Sequence, residues 1–130
     1  MDEITVERLL ELELFKTKLQ LVAGFDGIGK VVTYVTIQEA PDFYKWVEGG
    51  EFVLSTWYAF SREPHLQLPA FEELAKRVSA VAIKTNRFID TIPSEIIDIA
   101  NRYQVPLFEV HHDTKFREVV LSITAELNNY

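Results

Sequence analysis

From Glu51 onward the chain alternates between short apolar runs and segments whose apolar residues recur every three or four positions, a pattern that few folds can accommodate. Glu51 to Thr56 reads as a strand centred on Phe52, Val53 and Leu54. Phe71, Leu74, Ala75 and Val78 then fall at i, i+3, i+4 and i+7 of a helix. Val81, Ala82 and Ile83 form the next strand. Pro93 opens a second helix with Ile96, Ile97, Ala100 and Tyr103 on its inner face, and Pro106 to Val110 is a third strand. Crossovers of this length impose parallel pairing, and right-handed connections put both helices on one face of the sheet when strand order advances steadily.

The flanking segments complete the expectation. Thr5 caps a short helix in which Val6, Leu9 and Leu10 share a face, ending near Leu12. Leu19 to Val22 is a short strand, followed by a turn that contains Gly24, Gly27 and Gly29. The largely β-branched stretch Val31 to Ile37 is a further strand, expected antiparallel to the one before it. Phe43, Trp46 and Val47 form a turn or two of helix that Gly49-Gly50 stops. Thr114 is expected to cap a last helix carrying Phe116, Val119, Val120, Ile123 and Leu127 and ending in Asn128, Asn129 and Tyr130. The fold class is therefore α/β: a small, mostly parallel sheet with a β-α-β-α-β core, a preceding β-hairpin-like region and a C-terminal exit helix. Residues 1–112 make up the domain, and 113–130 the exit helix, expected to lead toward a downstream domain.

A chain of 130 residues supports one core, and 48% hydrophobic residues are enough to fill it, which excludes disorder. The formal charge of −7 disfavours direct contact with phosphate backbones or anionic lipid. Zero cysteines remove disulfides, thiolate nucleophiles and thiolate metal sites, as suits a reducing cytosol. No apolar run reaches the roughly eighteen residues of a membrane span, and the acidic start Met1, Asp2, Glu3 is unlike a signal peptide. The expected setting is cytoplasmic, without a membrane partner.

Parallel sheets bind ligands beyond the carboxyl ends of their strands. The three expected strand exits read Ser55-Thr56-Trp57, Thr85-Asn86-Arg87 and His111-His112-Asp113. Together they offer hydroxyl, amide and imidazole hydrogen bonds, with Arg87 for an anionic group and Trp57 for stacking on a planar one. The plainer alternative is that they are ordinary polar loops and helix caps. His111 and His112 do not read as metal ligands, because adjacent strand residues point to opposite faces. The commoner fate is for one of them to enter the core as a neutral, hydrogen-bonded imidazole. The glycines at 24, 27 and 29 lack the dinucleotide-binding order and read as a turn. No G-x-S-x-G elbow is present, so a Ser55 or Thr56 nucleophile paired with a histidine is a minority reading. The neighbouring Glu72 and Glu73 belong to a solvated helix face.

Several segments in order resemble a known family. They are Thr5-Val6 with Leu9-Leu10, Leu21-Val22-Ala23-Gly24 with Gly27, Glu39-Ala40-Pro41-Asp42 with Trp46, Gly49-Gly50-Glu51-Phe52-Val53-Leu54-Ser55-Thr56, and Val105-Pro106-Leu107-Phe108-Glu109-Val110. The sequence resembles the amino-terminal domain of PucR-type bacterial transcription regulators, the purine catabolism regulatory protein-like domain. The resemblance implies a sensory module at the front of a longer regulator, with DNA bound only by a helix-turn-helix in a downstream domain. It also implies a small-molecule effector derived from purine or a related nitrogen compound. One departure stands out: Trp57 occupies a position where the pattern usually has a small residue, often glycine. Its indole either fills the cleft, reshapes it for a planar ligand, or faces a partner.

The leading expectation is a non-enzymatic, effector-sensing domain with a ligand site at Ser55, Thr56, Trp57, Thr85, Asn86, Arg87 and His111, and with no metal or cofactor. The alternatives are a homo-oligomerising interaction module that uses exposed aromatic and exit-helix surface and, less favoured, a small hydrolase or transferase.

Overall fold

A computed structural model of the chain describes residues 3–129; Met1, Asp2 and Tyr130, the last of them expected at the end of the exit helix, lie outside the described residues. The elements in order are α1 (Val6–Leu9), α2 (Glu13–Lys18), β1 (Leu19–Ala23), β2 (Tyr34–Ile37), β3 (Glu51–Ser55), α3 (Tyr58–Arg62), α4 (Gln67–Ala75), β4 (Ala80–Lys84), α5 (Ser94–Arg102), β5 (Leu107–Val110) and α6 (Phe116–Asn128). Short 3-10 turns occupy Phe25–Gly27, Phe43–Trp46 and Pro64–Leu66. The sheet runs β1-β5-β4-β3-β2, with β2 to β5 parallel and β1 antiparallel on the edge beside β5. This is the α/β class and the parallel β-α-β-α-β core that the periodicity predicts.

Alternation along the strands divides the interior in two. Val53, Val81, Ile83 and Leu107 face α4 and α5, where Phe71, Leu74, Ile96 and Ile99 cover them. Phe52, Leu54, Ala80, Ala82, Phe108 and Val110 face the other way, toward Val6 and Leu9 of α1, Phe15 of α2, and Val119 and Ile123 of α6. The rings of Phe15, Phe52 and Phe108 meet there with centroids 5.5 to 5.7 Å apart. Each such fully buried side chain contributes about 1.5–3 kcal/mol. Helices therefore cover both faces, which is why the central strands are apolar almost throughout.

The hairpin-like region is corrected. Only Tyr34–Ile37 of the β-branched stretch forms a strand, and it pairs in parallel with β3 at the edge opposite β1. Local propensity does not decide the partner. Residues 28–32 spend their hydrogen bonds on the N-terminal segment: Val32 N donates to Ile4 O, Val6 N to Lys30 O and Glu7 N to Ile28 O. At the head of this connection, Gly24 takes φ +71°, and a Cβ there would lie 1.9 Å from the Val105 carbonyl oxygen. A Cβ on Gly27 would lie 1.7 Å from the Gln104 carbonyl oxygen. These glycines let the turn dock on the α5–β5 loop.

Other boundaries shift for local reasons. Thr5 caps α1 as expected, its Oγ1 accepting from Arg8 N, but the helix stops at Leu9 and α2 follows. The longer helix between β3 and β4 is α4, which starts at Gln67 and ends at Ala75, so Val78 lies beyond it; Pro69 is tolerated because first-turn amides have no intrahelical acceptor. On α5 the fully covered face is Ile96, Ile99 and Ala100, with Ile97 and Tyr103 at its margins. Thr114 does not cap α6. The cap is Lys115, whose amide donates to the Glu118 carboxylate at 3.3 Å, while Thr114 is buried. Phe116, Val119, Val120, Ile123 and Leu127 all pack back onto the domain's own sheet.

Gly49 and Gly50 have a precise structural use. Both take positive φ, and the turn folds over the buried Glu51 carboxylate, which accepts from Glu48 N at 2.6 Å, Gly49 N at 2.9 Å and the Tyr34 hydroxyl at 2.5 Å. Burial raises the Glu51 carboxyl, but the Tyr34 hydroxyl and the backbone amides outweigh it and hold the group below its ordinary value. The same contact pushes the Tyr34 phenol up to about 12.

Candidate functional site

Because β3, β4 and β5 are adjacent and parallel, the three polar tripeptides leave the sheet along one rim. They do not form one cleft. At the β4–β5–β1 side the rim opens into a cavity of about 420 Å³. Thr85, Asn86, His111 and His112 line it, together with Glu109 on β5 and Gln20 on β1. Lys16, Thr17 and Lys18 at the end of α2 supply the remaining wall, with Leu19.

The polar groups of this cavity are already oriented. Thr85 Oγ1 donates to Glu109 Oε2 at 2.5 Å across the β4–β5 pair. Asn86 sits at φ +61°, a left-handed conformation that asparagine tolerates well, and its amide donates to Ile89 O at 2.7 Å. His111 N donates to Lys18 O, tying the end of β5 to the end of α2. Asp113 is 2.5 Å from His111 Nδ1 and 3.2 Å from Lys18 Nζ. The His111 hydrogen bond first, and then Lys18, hold its carboxyl below the ordinary aspartate value.

The expected inward imidazole is corrected: both histidines are exposed, with ring centroids 4.4 Å apart. The strand ends at Val110, so strict alternation no longer applies beyond it. Among the described residues, no three His, Asp or Glu side chains assemble as metal ligands.

The β3 side of the rim is filled from within. Ser55 Oγ donates to Glu39 Oε1 at 3.0 Å, and Thr56 N donates to both Glu39 carboxylate oxygens at 3.0 and 3.1 Å. Trp57 stands at φ +65°, the left-handed region in which glycine is at ease, and this explains why a small residue suits the position. Its indole is buried against Phe60 and Phe71, and Nε1 donates to Gln67 Oε1 at 2.6 Å. Arg87 stacks over Phe88 at 4.8 Å, and Phe88 meets Tyr58 edge-on. Of the residues singled out from sequence, Thr85, Asn86 and His111 share the cavity. Ser55, Thr56, Trp57 and Arg87 lie outside it.

Lys84 ends β4 with its ammonium 4.7 Å from the Phe116 ring centroid; burial, and then the charge of Arg87, push it below the ordinary lysine value. The hydroxyl–imidazole pair that hydrolysis would need is not formed. The Ser55 hydroxyl donates to Glu39 and accepts from Trp57 N, while His111 engages Asp113. Lys16, Lys18, Gln20 and Glu39 were not visible as site residues in the sequence. The pairing of β1 with β5 brings the first three to the rim, and Glu39 belongs to one of the segments that carry the family resemblance.

Fold and site together define a small three-layer α/β domain whose polar side chains collect at the carboxyl rim of a parallel sheet. The chain belongs to the purine catabolism regulatory protein-like family, whose model matches residues 8–127. It is 32% identical over 101 residues to the purine catabolism regulatory protein of Bacillus subtilis (strain 168). That match takes in 77% of this chain and 19% of the relative, so the chain spans about a fifth of that protein's length. Among solved structures, it is similar to the CBS and DRTGG domains of the regulatory region of Clostridium perfringens pyrophosphatase, complexed with its activator diadenosine tetraphosphate. The TM-score is 0.54 at 13% identity, covering 91% of this chain and 46% of that one, a likeness of fold.

Proposed function

We propose that this chain is the effector-sensing domain of a bacterial transcription regulator of purine or related nitrogen-compound catabolism. It is non-enzymatic and cytoplasmic, and α6 connects it to a downstream domain that contacts DNA. The observation that carries the reading is the rim cavity, with Thr85, Asn86 and His111 around about 420 Å³ of space suited to a small polar molecule. Family membership supports the regulatory setting, and the similar pyrophosphatase regulatory region, solved with a nucleotide activator, supports ligand binding on this fold. The charge of −7 agrees with a domain that leaves DNA to another part of the regulator. No helix among the described residues is long and apolar enough to cross a membrane.

Thermal-shift screening of purine bases, nucleosides, nucleotides and their ring-opened degradation products tests the proposal. A metabolite at 100 times its dissociation constant adds about 2.7 kcal/mol, on the order of 10 °C for a domain of this size. Uniform silence across such a panel would defeat the sensing role.

A second reading, a homo-oligomerising module, draws on exposed apolar side chains: Tyr34 and Ile37 on edge strand β2, Trp46 at 67% exposure and Leu121 of α6 at 62%. Light scattering that returns the mass of a single chain at high concentration would dispose of it.

A further inference from the structure

The rim cavity brings two lysines and two histidines together in a chain whose net charge is −7. Lys16 and Lys18 reach it from α2, and His111 and His112 from the turn after β5. Glu109 is the one carboxylate among its lining residues, and Thr85 Oγ1 already engages it. Asp113, beside the cavity, shares its carboxylate between His111 Nδ1 at 2.5 Å and Lys18 Nζ at 3.2 and 3.4 Å. Toward these two donors it acts as an internal anion.

Resting on the sensing role proposed above, we infer that the cavity takes the anionic group of its ligand, a phosphate or a carboxylate, on Lys18 and His111, and that Asp113 is its built-in competitor. A lysine ammonium and an imidazole nitrogen arranged around one carboxylate are preorganised for another, so a ligand anion that replaces Asp113 finds both in place. Lys16 adds positive field from the neighbouring wall, and His112 adds a further imidazole. Asp113 lies two residues before Lys115, the cap of α6. Displacing its carboxylate frees the turn between His111 and that cap, so occupancy is felt at the start of the last helix.

The test is a backbone-amide NMR titration of the 130-residue chain at constant ionic strength with sodium pyrophosphate and, separately, sodium malonate, and with glycerol as the neutral control. The Asn86, His111 and His112 amides are expected to shift saturably with one anion or both, which tells phosphate recognition from carboxylate recognition, and to ignore glycerol. Lys18→Gln and His111→Gln are expected to weaken binding about five- to tenfold. Asp113→Asn is expected to tighten it about two- to fivefold, the worth of an exposed ion pair, and unchanged melting curves will show that each variant is folded. Non-saturating shifts, or affinity in Lys18→Gln and His111→Gln unchanged from that of the unsubstituted chain, overturn the anion site; Asp113→Asn that binds no tighter overturns the competitor. A metabolite that stabilises the domain yet is displaced by neither anion removes this inference and leaves the sensing role standing. Saturable anion binding with no stabilising metabolite upholds the site and counts against that role.

Discussion

Trp57 shows how a single residue carries opposing terms. Its left-handed backbone costs about 1–2 kcal/mol relative to glycine, whereas the indole it buries is worth more. Trp57→Gly is therefore expected to destabilise the domain by about 2–4 kcal/mol in urea unfolding, despite relieving the backbone. Gly27→Ala is expected to be destabilising too, because a Cβ would be forced against the Gln104 carbonyl. The Tyr34–Glu51 contact gives a pH signature of definite sign. The phenol is raised in the folded state, so its contribution is present below pH ~10 and lost as pH rises toward about 12. Glu51 is lowered, so its contribution is present above its unfolded value of ~4.3 and lost as pH falls through the folded value. Stability measured against pH is expected to fall at both ends, with Tyr34→Phe flattening the alkaline limb and Glu51→Gln the acid limb. The Tyr34–Glu51 contact was not legible in the sequence, since the two residues meet only through the β2–β3 register, whereas Trp57 already stood out there as a large residue at a position suited to a small one.

Among the elements, α6 has the largest consequence. It reads in sequence as an exit helix, yet Val119 and Ile123 are fully buried against the sheet. Losing those two side chains alone removes about 3–6 kcal/mol, a large part of the roughly 5–15 kcal/mol that holds a domain together. A chain shortened at His112 is expected to lose its near-ultraviolet circular dichroism and to bind a hydrophobic dye; retention of a native spectrum would show α6 to be dispensable. Strands β3, β4 and β5 and helices α4 and α5 were legible because each carries its own periodicity and the crossovers between them permit only parallel pairing. Helices α2 and α3, of six and five residues, were not, because neither is long enough to show a period or carries a side-chain cap.

At the scale of the whole molecule, the two edges of the sheet matter most. Strand β1 closes one edge antiparallel to β5 and brings Lys16 and Lys18 to the rim, while the N-terminal helix is fastened to α6 by the Arg8–Glu126 pair at 2.7 Å, with Glu126 largely buried. Arg8→Ala is expected to leave a buried carboxylate short of its partner and to lower stability by about 1–3 kcal/mol, measured by urea unfolding; Glu126→Gln in the same background is expected to recover part of the loss. Local residue order settled the α/β class, the parallel core and the shared direction of the three polar strand exits, because periodicity and crossover length act over a few residues at a time. The partner of β1, the Glu39 carboxylate at the β3 exit and the walls of the rim cavity were decided by tertiary structure. Each depends on hydrogen bonds and charges between residues far apart in the chain, and no local propensity ranks one distant partner above another.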